Sequence, residues 1–338
     1  MKALAIHGKE DIRLEEISTP QPEAGQVLMR VAYAGICGSD LHYYYDGANG
    51  DFVVREPLIP GHEVCGVVAE DPSGELEPGT PITLHPATFG TPTAGIEQEP
   101  HLWPGGAYLG SAATMPHTQG GMCEYLLVRQ DQVRVLPPEL PLRRAVLAEP
   151  LSIGLHALTM AGDVCGQRVL VSGSGPIGLL TAGAALARGA ASVTCSDMSD
   201  AALERARALG ATETINVRRE APPAEAFDVI FECSGAHAAI SAAFVAARRR
   251  GRVVQVGMVP AGPGPVALSP LIGKEVSYVG VFRFRDEVDD AVSMLVAHPE
   301  LETVLTDIYP ADQAEAAFAQ ARDADASGKV AISVWWEE

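Results

Sequence analysis

A cysteine, a histidine and two glutamates stand in short settings marked by glycine or proline. These are Gly35-Ile36-Cys37-Gly38-Ser39-Asp40-Leu41-His42, Gly61-His62-Glu63 and Ala148-Glu149-Pro150-Leu151. Thiolate, imidazole and carboxylate together suit a tetrahedral zinc with one position left for water or substrate. Taken singly, each residue has a plainer reading. Cys37 could be a small buried hydrophobe, and a lone His62 is more often structural than a ligand. Spacing along the chain does not establish that they converge.

A second constellation concerns a nucleotide. Val169-Leu170-Val171-Ser172-Gly173-Ser174-Gly175-Pro176-Ile177-Gly178 is an apolar strand running into G-x-G-x-x-G and then a helix. Gly173 permits the tight turn, Gly175 lets backbone approach a pyrophosphate, and Gly178 lets helix and strand pack closely. Pro176 and Ile177 open the helix whose N-terminus faces the phosphates. A glycine fingerprint alone is weak, and a glycine-rich turn with a surface aspartate is the plainer alternative. Here Asp197 closes the next expected strand, about twenty positions on, where an acid accepts hydrogen bonds from the adenosine ribose hydroxyls. Its carboxylate would repel a 2′-phosphate, and Met198 and Ser199 supply no cation, so NAD is expected over NADP.

The elements that must hold these residues fall into two styles. The first 145 or so residues show short apolar runs (26–34, 63–69, 81–84, 121–128) between Gly and Pro turn signals, the pattern of a β-rich domain. Residues 85–120 lack periodicity and read as a long loop or lobe. From about residue 150, strands (168–172, 192–197, 213–216, 227–233, 252–256, 277–282) alternate with helices (150–161, 176–188, 201–209). That alternation predicts an α/β doubly wound parallel sheet covered on both faces. Two helices (287–295, 312–322) and a strand from Lys329 to Trp335 then return to the first domain. Arg248 to Arg250 read as the end of a helix, where cations suit the dipole.

Composition narrows the functional classes. At 338 residues and 47% hydrophobic, the chain can bury the cores of two domains. Its 24 basic residues against 43 acidic leave a net charge of −19, which opposes nucleic acid and anionic lipid. The N-terminus turns charged before any signal-length apolar run, and the most apolar stretch (179–190) is too short to span a bilayer. The six cysteines lie far apart, which fits a reduced, cytoplasmic protein better than a disulfide framework.

CGSDLHYY, PGHEVCG, AEPLSIGLHA, GSGPIG, LIGKE and GVFRF cover nearly the whole chain. They resemble the medium-chain, zinc-dependent alcohol dehydrogenases, and within them the polyol branch, which includes L-idonate 5-dehydrogenases and sorbitol dehydrogenases. The resemblance implies a GroES-like catalytic domain over 1–148, completed by 283–338, and a Rossmann NAD-binding domain over 149–282, with the active site in the cleft between them. It implies that Cys37 and His62 bind one catalytic zinc, and that the third protein ligand is Glu63 or Glu149. By the same resemblance, Asp40 orients the His62 imidazole. Ser39 takes the substrate proton and passes it through the nicotinamide ribose to His42. The implied reaction converts a polyol or sugar acid and NAD to a ketone and NADH, in a homodimer or homotetramer.

Many members of that family carry a second, structural zinc on four cysteines within the lobe. There is no cysteine between Cys65 and Cys123, so no structural zinc is expected, and Glu97, Glu99 and His101 read as solvated loop residues. Tyr43, the segment Thr114-Met115-Pro116-His117, Arg283 and Phe284 fall where the polyol branch lines its substrate site. Arg283 suits hydroxyls or the carboxylate of an aldonic acid, or equally a structural ion pair. The rivals are a sorbitol-, xylitol- or galactitol-type enzyme, a zinc-free NADPH reductase of the same superfamily, and a non-catalytic nucleotide-binding protein.

Overall fold

The fold is that of a computed structural model, which describes residues 1–334. Trp335, the expected end of the last strand, lies outside the described residues. The chain forms two compact units. Among the described residues, one comprises Met1–Glu149, Ala291–Asp323 and residues 329–334; the other comprises Pro150–Asp290 and Ala324–Gly328. The return to the first unit thus falls at 291 rather than 283. Within the second unit, His156 Nδ1 lies 2.7 Å from Glu287 Oε1, a buried pair that ties the segment around Glu287 to the helix Ala148–Ala161.

In the first unit, the strand Gln26–Gly35 is buried along nearly its whole length. It runs antiparallel to Glu63–Glu70, Tyr125–Arg129 and Lys329–Ser333. Its register pairs Gly35 with Glu63 on one neighbour and with Ala331 on another. Glu63 and Lys329 are thereby brought to the same end of the sheet, just before Cys37. Leu4, Ile6, Met29, Val31, Leu58, Ile82, Leu84 and Phe318 fill the core beneath. The lobe contains one small ladder, Ala87–Thr88 against Ala107–Tyr108, and is tied by Trp103 Nε1 donating to Ile96 O at 2.9 Å.

The second unit holds six parallel strands in the spatial order Glu213–Asn216, Ser192–Asp197, Arg168–Ser172, Phe227–Glu232, Ala247–Gln255, Ser277–Gly280. This is the doubly wound order, with its switch point between Arg168–Ser172 and Phe227–Glu232. Strand Arg168–Ser172 (RVLVS) is buried from Val169 onward, as a strand covered on both faces must be. A helix over His237–Ala246 makes one crossover. Its sequence, HAAISAAFVA, has no capping side chain and little apolar periodicity, so nothing local announces it. Arg248 to Arg250 do not end a helix: they lie in the strand Ala247–Gln255. There, Arg248 pairs with Asp228, Arg249 with Glu225 and Arg250 with Glu275. Among the described residues no helix is long and apolar enough to cross a membrane.

Candidate active site

Cys37 ends an extended segment and caps the helix Gly38–Asp46. Glu63 opens the next strand over, Glu63–Glu70, and His62 directly precedes it. Their donor atoms, one each from Cys37, His62 and Glu63, all lie within 4.8 Å of one another, and this is the one such group found among the described residues. These are the donor types that zinc sites use. The two oxygens of Glu63 are not equivalent. Oε1 accepts from Lys329 Nζ at 2.6 Å, whereas Oε2 is buried with no hydrogen-bond partner. A buried anionic oxygen without a partner is costly unless something electropositive meets it. Sulfur, nitrogen and this oxygen form a donor set that fits zinc. Gly35 completes the cradle: a Cβ there would overlap Glu63 Oε2.

The charges around His62 reinforce this picture. Burial opposes protonation of the imidazole, but the Cys37 sulfur beside it, with Glu149 and Asp40, outweighs burial and holds His62 up at about 10. A divalent cation replaces such a proton. Burial likewise pushes the Glu149 carboxyl up, against the pull of His62 and of the Tyr108 hydroxyl.

Asp40 acts on backbone rather than on the imidazole. Oδ2 accepts from Cys37 N at 2.9 Å and Oδ1 from Gly61 N at 3.1 Å. It therefore clamps the two segments that carry Cys37 and His62, and does not orient the ring by a direct bond. Ser39 is half-buried in the first turn of the helix, and His42, one turn further, is exposed with Nδ1 3.0 Å from Asp46 Oδ2.

In the second unit the glycine loop has the expected form. Gly173 has φ +96°, Gly175 caps the helix Pro176–Ala187, and a Cβ on Gly178 would overlap Gly173 O. Asp197 accepts from Ser174 N at 2.7 Å and from Ser199 N at 2.9 Å, which locks the acid onto the glycine loop. Arg218, exposed, lies just beyond the strand that pairs Asn216 with Asp197. In sequence only Met198 and Ser199 stand next to that acid, because strand pairing, which brings Arg218 near, is not visible in sequence.

Three of the expected substrate residues are buried. Tyr43 is fully buried, and its hydroxyl accepts from Ala112 N at 3.1 Å and lies 3.3 Å from Ser111 Oγ. Phe284 is fully buried in the second unit. His117 accepts from Arg55 N and lies 2.9 Å from Thr114 O, so both ring nitrogens serve the loop backbone. Arg283 is half-buried, has φ +53°, and stacks 4.8 Å from the Phe282 ring centroid. Within the lobe, Glu97 accepts from Gly95 N, and Glu99 lies 3.7 Å from His101. Two further site residues escaped sequence reasoning. Lys329 is the buried partner of Glu63, and Tyr108 donates to Glu149 Oε1 at 2.6 Å. Neither lies in a recognisable motif.

The donor cluster and the nucleotide-type loop define a metal-assisted dehydrogenase class, and comparison with known proteins agrees. The chain belongs to the zinc-binding alcohol dehydrogenase family: residues 23–138 match the alcohol dehydrogenase GroES-like domain and residues 176–297 the zinc-binding dehydrogenase model. It is 35% identical to L-idonate 5-dehydrogenase (NAD(P)(+)) of Escherichia coli (strain K12), over 98% of both chains. It is 34% identical to sorbitol dehydrogenase of Gallus gallus, over 94% of this chain and 92% of that one. The crystal structure of L-idonate 5-dehydrogenase from Escherichia coli superposes with a TM-score of 0.93, covering 98% of each chain at 32% identity.

Proposed function

We propose that this dehydrogenase oxidises a secondary alcohol of a polyol or sugar acid to the ketone with NAD, L-idonate-type oxidation being the leading assignment. The observation that carries the metal half is the unpartnered, buried Oε2 of Glu63 beside Cys37 and His62. These three residues would hold one zinc, with Glu149 close by. Zinc bound there would supply Lewis-acid polarisation of the substrate oxygen and lower the pKa of a bound hydroxyl. Asp40 keeps Cys37 and His62 in register through their backbone. Ser39 takes the proton released from the substrate, and His42, exposed and steadied by Asp46, gives it to solvent. Arg283 is our candidate for meeting hydroxyls or a carboxylate, on the chemistry of its guanidinium.

NAD would lie against Gly173, Gly175, Pro176, Ile177 and Gly178, with the adenosine ribose on Asp197. A second reading, use of NADP as well, is favoured by Arg218 next to the Asp197 strand. We also propose a homodimer or homotetramer. Among the described residues the edge strand Ser277–Gly280 is paired on one side only, and it carries Tyr278, 43% exposed, with Phe282 at 46% just beyond it. A cytoplasmic setting accords with six unpaired cysteines.

The test is NADH formation from L-idonate, D-gluconate, sorbitol, xylitol and galactitol, with and without a chelator, repeated with NADP. Chelator-sensitive turnover of one compound supports the reading and names the substrate class. Turnover that survives complete zinc removal overturns the metal assignment. No turnover on the whole panel overturns the substrate class.

A further inference from the structure

The two glutamates near Cys37 and His62 are held by different partners. Glu63 has the Lys329 ammonium on Oε1, its Oε2 is buried with no hydrogen-bond partner, and the residue belongs to the donor cluster. Glu149 has the Tyr108 hydroxyl on Oε1 at 2.6 Å and is not a member of that cluster. Tyr108 itself is buried and ends a strand of the lobe ladder, where it pairs with Ala87. Its ring also packs edge-on to His62, with centroids 5.2 Å apart and planes at 67°. One side chain thus touches an imidazole of the cluster and the carboxylate held outside it.

We propose that Tyr108 is a positioning residue that keeps Glu149 off the metal, so that Cys37, His62 and Glu63 are the protein ligands and the fourth position stays open for the substrate oxygen. This rests on the zinc dehydrogenase reading above. Moving Glu149 inward breaks a buried hydrogen bond to a carboxylate, a stronger bond than one between neutral groups. The lobe has no cysteine to bind a structural metal, and through Tyr108 it acts on the catalytic centre directly.

Tyr108→Phe keeps the ring on His62 and removes only the hydroxyl. A freed Glu149 then competes for the open position as a fourth protein ligand. The expected result is about tenfold slower loss of zinc to excess EDTA and about tenfold lower kcat, with a changed visible spectrum of the cobalt-substituted protein. In the double variant Tyr108→Phe/Glu149→Gln, zinc loss returns to the parental rate. The direction is diagnostic, because a merely structural Tyr108 would make the variant lose zinc faster, and Glu149→Gln would not rescue it. Faster or unchanged zinc loss with an unchanged cobalt spectrum, in a parent whose turnover is chelator-sensitive, overturns the role of Tyr108 alone. A parent that binds no zinc overturns the underlying reading and this one with it.

Discussion

The ammonium of Lys329 lies 2.6 Å from Oε1 of Glu63, and both side chains are almost completely buried. Lys329 also donates to Ile36 O at 3.0 Å, next to Cys37. Burial alone would depress the Lys329 ammonium, but the Glu63 charge reverses this and holds it above its ordinary value. Removing one partner of such a pair costs about 3–5 kcal/mol, since the other charge stays buried. Lys329→Met should therefore lower the urea stability of the zinc-loaded protein by about that much. Unchanged stability and full zinc content would show that Lys329 does not hold Glu63.

Gly35 is required by the carboxylate beside it rather than by its backbone angle. Gly35→Ala places a Cβ onto Glu63 Oε2, whereas at Gly38 a Cβ meets nothing within 4 Å. The expectation is a drop of about tenfold or more in zinc affinity for Gly35→Ala and parental affinity for Gly38→Ala. Chelator competition with both variants in parallel measures this, and equal affinities would remove Glu63 Oε2 from the ligand set.

The pair of His156 and Glu287 gives the second unit an acid-sensitive brace. Burial raises the Glu287 carboxyl, but the His156 hydrogen bond and charge outweigh it, with the Arg285 and Asp286 amides helping, and bring it down to about 2. A folded value below the unfolded one means stability that is fully present above about pH 4.5 and lost as pH falls toward 2. At about 1.4 kcal/mol per unit, the ceiling is about 3 kcal/mol. Glu287→Gln should lose about this much at pH 7, and its urea midpoint should fall less steeply than the parent's between pH 5 and pH 3. Parallel acid limbs would show that the pair contributes nothing.

Asp197 is braced by Ser174 N and Ser199 N, so its charge is held in place. Two unit charges about 4 Å apart repel by about 4 kcal/mol at an effective dielectric of about 20. Asp197→Ser should shift the kcat/KM ratio toward NADP by about tenfold or more, and Arg218→Ala in that background should take most of the gain back. A ratio unmoved by Asp197→Ser would place the ribose elsewhere.

Much of this molecule is determined locally. The run from Val169 to Gly178 specifies its own turn, because a parallel strand needs β-branched residues and a pyrophosphate loop needs the glycines that tertiary packing also requires. The switch from β-rich to alternating elements near residue 150 follows from periodicity. Cys37, His62, Glu63 and Glu149 declare themselves by residue type and neighbours, though not by convergence. The helix His237–Ala246 is hidden because an alanine-rich stretch has no polar face to mark it, and Arg248 to Arg250 mislead because a cationic run serves a helix end or an ion-paired strand equally well.

Convergence was decided by tertiary structure alone. Lys329 meets Glu63 across 266 positions, through pairings made by the strand that contains Gly35. In sequence, a buried lysine looks like any surface lysine. Which glutamate turns inward depends on Lys329 for one and Tyr108 for the other, contacts between elements that share no local pattern. Tyr43 and Phe284 went into the interior because burial depends on what packs against a side chain, and their own residue types do not set it. The chain's local chemistry chooses the groups that can act, and sheet register, a long-range property, chooses which of them meet.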